Sequence, residues 1–172
     1  RQDAARSEGA HVDGSAADGD HERGGYLEIT RQSVQFNRVS DYRLDVELFR
    51  DLLAEVDRHS HPYVNTCHHC MALLKEAVPL YRGEFLAGFS VPDADEFERW
   101  LQAQRDQLAY QAVTALDSLA AFHERRQEWS EAVAYLHRQL EIAPWREEGH
   151  RHLMQVLALS GDRTAALQQY EA

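Results

Sequence analysis

The stretch Tyr81-Arg82-Gly83-Glu84-Phe85-Leu86-Ala87-Gly88-Phe89 separates an amphipathic helical pattern from a long helical segment that opens Asp93-Ala94-Asp95-Glu96-Phe97-Glu98-Arg99-Trp100. Two glycines bracket Phe85 and Leu86, so the backbone can turn sharply and drive large apolar groups into a neighbouring surface. The segment therefore reads as a structural hinge made by Tyr81, Gly83, Phe85, Leu86, Gly88, Phe89 and Trp100. Phe85, Leu86, Phe89 and Trp100 are expected to form one inward-facing cluster. A docking patch for a partner is the competing reading of the same side chains.

Outward from the hinge, helical periodicity dominates. Asp45 is placed to cap a helix whose stripe is Val46, Phe49, Leu52, Leu53 and Val56, and His59-Ser60-His61-Pro62 breaks it. A second helix, from about Tyr63 to Leu80, puts Cys67, Cys70, Met71, Leu74, Ala77 and Val78 on a common face. A third opens with Asp93 and Glu96 at capping-box spacing, and Phe97, Trp100, Leu101, Leu108, Ala112, Ala115, Leu116, Leu119 and Phe122 carry it to about His123. Beyond that, sliding the sequence by 34 residues sets Leu119 on Leu153, Ala132 on Ala166 and Leu136 on Tyr170. That is the tetratricopeptide period, in which a small residue lets two helices approach closely. Pro144 is expected to start the next helix and Gly161 to end it.

Before the helices the period changes to two. Leu27, Ile29, Val34 and Phe36 alternate around the polar tip Thr30-Arg31-Gln32, which is the pattern of a short antiparallel hairpin. The fold class is thus mainly α: a TPR-like array of right-handed helical hairpins preceded by a small β-hairpin. The first 25 residues hold almost no large apolar side chain except Val12 and read as a disordered linker or loop insertion. The absence of an initial methionine and the stop in mid-pattern read as cuts through a longer polypeptide.

Composition narrows the function. With 172 residues, 44% of them hydrophobic, one main domain is expected. A net charge of -11 repels a polyanion, so bulk electrostatics give no footprint for nucleic acid. No apolar run approaches the roughly 18 residues of a membrane helix, no signal-peptide pattern is present, and only two cysteines occur. The expected location is cytoplasmic, without membrane partners.

Leu80, Tyr81, Arg82, Gly83, Phe85, Leu86, Gly88 and Phe89, followed by Phe97, Glu98 and Trp100, resemble the bacterial transcriptional activator domain. In SARP-type regulators this helical module follows a winged-helix DNA-binding domain. The resemblance implies three segments: 1–25 as linker, 26–40 as the remnant of a wing-like hairpin, and 41–172 as the helical activator domain. It implies that DNA is read through a winged-helix domain upstream of residue 1. Arg31, at the wing tip, becomes the candidate for a phosphate contact, with a solvated turn arginine as the alternative. The implied role is protein contact, either dimerisation or engagement of the transcription machinery, together with positioning of the DNA-binding domain. Tyr42 stands where relatives carry tryptophan.

Other chemistries leave weaker marks. His59-Ser60-His61 and Cys67-His68-His69-Cys70 contain ligands for a tetrahedral zinc site, but the cysteines fall on the apolar stripe of a helical pattern. Burial as core thiols is favoured over zinc or a regulatory disulfide, and no cofactor is expected. His150 and His152 lie two apart, so they face different sides of a helix and read as surface residues. No nucleophile elbow, phosphate loop or H-E-x-x-H helix is present. No enzyme is expected. A TPR-type peptide scaffold unrelated to DNA is the alternative, but such an array requires neither the hairpin nor the glycine hinge.

Overall fold

The computed structural model describes residues 25–171, so the expected linker over residues 1–25 falls, except for Gly25, outside the described residues. The chain divides into two compact units, the first ending at Tyr42 and the second starting at Arg43. Within the first, β1 (Leu27–Ile29) and β2 (Val34–Phe36) pair antiparallel, with Leu27 opposite Phe36 and Ile29 opposite Val34. The turn closes on Thr30, whose Oγ1 accepts from the Ser33 N–H at 3.0 Å and whose own N–H donates to the Ser33 carbonyl at 2.8 Å. Asn37 Nδ2 donates to the Gly25 carbonyl, and Phe36 meets Tyr42 edge-on at 4.6 Å. Three-residue strands are marginal in isolation.

The described residues of the second unit hold six α-helices: α1 (Asp45–Arg58), α2 (His68–Ala77), α3 (Asp95–Arg125), α4 (Trp129–Ile142), α5 (Glu147–Ser160) and α6 (Arg163–Glu171). With the hairpin, the described residues are thus mainly helical. The 31-residue α3 is about 46 Å long at the usual helical rise and is the spine. Residues three and four apart share a helix face, so α3 offers separate stripes to separate neighbours. Leu108 and Ala112 meet Phe49 of α1 and Ala77 of α2. One turn further on, Ala115, Leu119 and Phe122 pack with Val56, Cys70, Met71 and Leu74. On another face, Ala120 joins Ala132 and Leu136 of α4, Leu153 and Val156 of α5, and Ala166 of α6. Both members of the pairs Leu119/Leu153 and Ala132/Ala166 are buried, whereas Leu136 is buried and Tyr170 exposed.

Several element boundaries differ from the sequence expectation, each for a local reason. Leu44, not Asp45, is the N-cap of α1, and Asp45 instead accepts from the Val46 N–H at 2.9 Å. The second helix is broken up: a 3-10 turn over Val64–Thr66 precedes α2, and another, over Val78–Leu80, carries Pro79 at its start. Asp93 and Glu96 form no capping box. Asp93 has φ +57, α3 starts at Asp95, and Glu98 reaches back to accept from the Val91 N–H at 2.8 Å. Pro144 lies in the α4–α5 turn, three residues before α5, and its carbonyl accepts from His150 Nε2 at 2.8 Å. Gly161 ends α5 in the left-handed conformation, with φ +95. A Cβ there would meet open space, but that backbone conformation is one side-chain-bearing residues rarely adopt, so glycine is favoured.

Candidate functional site

The hinge is built around a left-handed backbone. After α2 the 3-10 turn delivers Tyr81, which is half-buried against Phe49 with ring centroids 6.4 Å apart. Burial raises the Tyr81 phenol above its usual range, and the Glu84 carboxylate adds to the effect. Gly83 is exposed and has open space where a side chain would stand, while Gly88 takes φ +73. Leu86 itself has φ +47, a conformation costing a non-glycine residue about 1–2 kcal/mol.

Arg105 of α3 compensates for that strain and was not singled out by the sequence. Its Nε donates to the Phe85 carbonyl at 2.9 Å, its Nη2 donates to the Leu86 carbonyl at 2.8 Å, and Nε stands 3.1 Å from Glu84 Oε1. Two more arginines complete the attachment. Arg138 of α4 donates to the Tyr81 carbonyl at 3.1 Å, and Arg82 pairs with Asp45 of α1 at 2.6 Å. The Arg82 hydrogen bond holds the Asp45 carboxyl below the usual range. The turn is thereby tied to three helices.

Arg105→Ala is expected to cost about 2 kcal/mol in urea unfolding, since two charge-assisted bonds to carbonyls are lost and the side chain is mostly buried. Arg105→Lys, which cannot reproduce the planar fork, should recover less than half of it. A loss within the roughly 0.5 kcal/mol of a neutral surface change would contradict the clamp.

The aromatic groups of the hinge meet, but at the surface. Phe85 and Trp100 lie edge-on at 6.3 Å, as do Phe89 and Phe97 at 5.8 Å, and Phe97 and Trp100 meet at a tilt with centroids 5.5 Å apart. Phe85 and Phe97 are half-buried, whereas Trp100 is 48% exposed, Phe89 50% and Leu86 43%. The inward-facing cluster expected from the sequence is therefore corrected: the rings meet one another, but Trp100, Phe89 and Leu86 stay about half exposed, while the next residue of the same helix, Leu101, is the one that is fully buried. Asp93, Asp95 and Glu96, in the stretch of chain between Phe89 and Trp100, are exposed. Below the turn lies a cleft of about 350 Å³ lined by Val46, Phe49, Tyr81, Phe85 and Leu108 among others. Arg31 is exposed in the hairpin turn.

Cys70 takes its expected place, fully buried on the apolar face of α2 with Met71 and Leu74, whereas Cys67 is the residue before α2 and is half-buried against the same cluster. The Cys70 N–H at the helix start holds the Cys67 thiol below its usual range, while burial pushes the Cys70 thiol up to about 11. His59 Nδ1 stands 3.5 Å from the Cys67 sulfur and 3.3 Å from that of Cys70. His150 and His152 are both half-buried, the first bonded to Gln169 at 2.7 Å and the second to Glu124 at 2.8 Å.

Polar groups also enter the core. His123, buried at the end of α3, bonds Glu128 at 2.6 Å, and Arg126 followed by His123 lowers the Glu128 carboxyl. Asp117 accepts from the buried Gln139 and pairs with Arg146 at 3.1 Å, joining α3, α4 and the start of α5. Each site is a two- or three-member structural bridge. No helix among the described residues is long and apolar enough to cross a membrane.

Comparison with known proteins gives one match. The family model described as "Bacterial transcriptional activator domain" matches residues 44–172, which is the whole helical unit from the residue before α1 onward. No curated protein and no solved structure matches the chain.

Proposed function

The chain belongs to the bacterial transcriptional activator domain family, and we propose that its helical unit is the effector arm of a DNA-binding regulator, working by contact with protein. The observation that carries this reading is the apolar patch of Leu86, Phe89 and Trp100, held at the surface by a clamped turn within the residues that match the family. Exposed apolar groups rimmed by charge mark interaction surfaces. Asp93, Asp95 and Glu96, between Phe89 and Trp100 in the chain, fit a partner with an apolar centre and a basic rim, whether a second copy or a component of the transcription machinery. In the same reading the hairpin is a wing, Arg31 is its phosphate contact, and sequence-specific recognition belongs to a winged-helix domain attached to it in the cytoplasm. The hinge positions that domain relative to the helices.

The charge of -11 supports the division of labour. A chain with so little basic surface should bind random duplex DNA no tighter than the roughly 10⁻⁴–10⁻⁶ M of non-specific contacts, with a shallow salt dependence. Fluorescence anisotropy with a labelled duplex measures this. Sub-micromolar binding that persists at moderate salt would assign DNA contact to this chain and reject the proposed effector role.

A further inference from the structure

The sequence offers zinc ligands that a helical stripe of thiols does not require, and the fold gathers them. His59 ends α1, the chain turns back through His61-Pro62, and Cys67 and Cys70 open α2. One ligand atom each from His59, His61 and Cys70 lies within 4.8 Å of the others, and His59 Nδ1 approaches both sulfurs, at 3.3 and 3.5 Å. In a tetrahedral site with metal–ligand bonds of about 2.0–2.3 Å, neighbouring donors stand about 3.3–3.8 Å apart. The two sulfur–nitrogen distances already match that spacing. His61 Nε2 is buried without a hydrogen-bond partner, a costly arrangement for an imidazole that serves only packing.

The two histidines between the cysteines are engaged elsewhere. His69 Nε2 faces Glu55 at 3.5 Å, and His68 packs edge-on against Phe122 at 5.3 Å. That leaves the group of His59, His61 and Cys70, with the Cys67 sulfur joined to it through its 3.5 Å approach to His59 Nδ1. We propose that His59, His61, Cys67 and Cys70 bind a structural zinc ion that joins the end of α1 to the start of α2. Two imidazoles and two thiolates make a closed, charge-neutral set around a divalent, borderline-soft cation. Binding displaces the two thiol protons and forms two zinc–sulfur bonds with no redox step.

The test uses the full chain, purified under reducing conditions without chelator. Elemental analysis is expected to find about one zinc per chain. Cobalt exchanged into the site should show tetrahedral d–d absorption together with a thiolate charge-transfer band. His61→Ala, outside the apolar core, should remain folded and lose more than about 100-fold in zinc affinity, beyond the range of an outer-shell partner. A folded, metal-free chain that takes up neither zinc nor cobalt would overturn the proposal in favour of core thiols. A Cys67–Cys70 disulfide that forms as readily with zinc present as without it would overturn it in favour of a redox pair.

Discussion

Leu119→Ala is expected to lower the stability of the chain by about 3–4 kcal/mol, with a fall in melting temperature on the order of 10 °C. Leu119 is fully buried on α3 and packs with Val56 of α1, Cys70, Met71 and Leu74 of α2, and Phe122 one turn along its own helix. Removing its isobutyl group leaves a cavity between three helices that can close only by shifting all of them. The transfer free energy and the cavity term therefore add. Tyr110→Ala, on an exposed position of the same helix, should change stability by less than about 0.5 kcal/mol. Urea unfolding of both variants provides the comparison. A Leu119→Ala loss below about 1 kcal/mol would mean that α1 and α2 do not rest on α3 as described.

Gly149→Val should cost about 3 kcal/mol for the opposite reason, overpacking. Gly149 is buried on α5 against α4, and a Cβ there would stand 2.9 Å from Gln139 Oε1 and 2.9 Å from Leu140 Cδ2. Gln139 has little freedom to withdraw, because its amide is fully buried and bonded to Asp117. Alanine is a sharper probe. It carries the same Cβ, so the contact with the immobile Gln139 outweighs the roughly 1 kcal/mol of helix propensity gained over glycine, and Gly149→Ala should cost about 1 kcal/mol, well short of valine. Melting curves of the alanine and valine variants should therefore separate clearly. Equal stability of the two would contradict the close approach of α4 and α5.

Much of this architecture is legible in the sequence, because periodicity reports which faces must leave water. The stripe Leu108, Ala112, Ala115, Leu119 and Phe122 identifies the spine helix, and the alternation around Thr30-Arg31-Gln32 gives the antiparallel hairpin. What was not legible depends on partners distant in sequence. Arg105 looks like any surface arginine of a long helix, until the carbonyls of Phe85 and Leu86 are brought beside it. Gly149 gives no signal as a packing residue, because the atoms that forbid a side chain belong to α4. The expected burial of Trp100 failed since a motif fixes which residues occur together, not how deep they lie; at 48% exposure, Trp100→Ala should cost about 1–2 kcal/mol. Cys70 lies on the helical stripe as the periodicity indicates, but Cys67 precedes the helix, and only the turned-back loop reveals His59 beside both sulfurs.

The most direct test of an effector role is to separate DNA recognition from protein contact. The chain would be fused to an unrelated dimeric DNA-binding protein, with that protein's operator placed upstream of a weak bacterial promoter, and reporter output measured at matched operator occupancy. The expected result is activation by the parent fusion and its loss in Phe89→Ser combined with Trp100→Gln, while occupancy stays unchanged and the variant still melts cooperatively. A parent fusion that occupies the operator without raising transcription, or activation that survives the loss of both aromatic groups, would contradict protein contact through this surface.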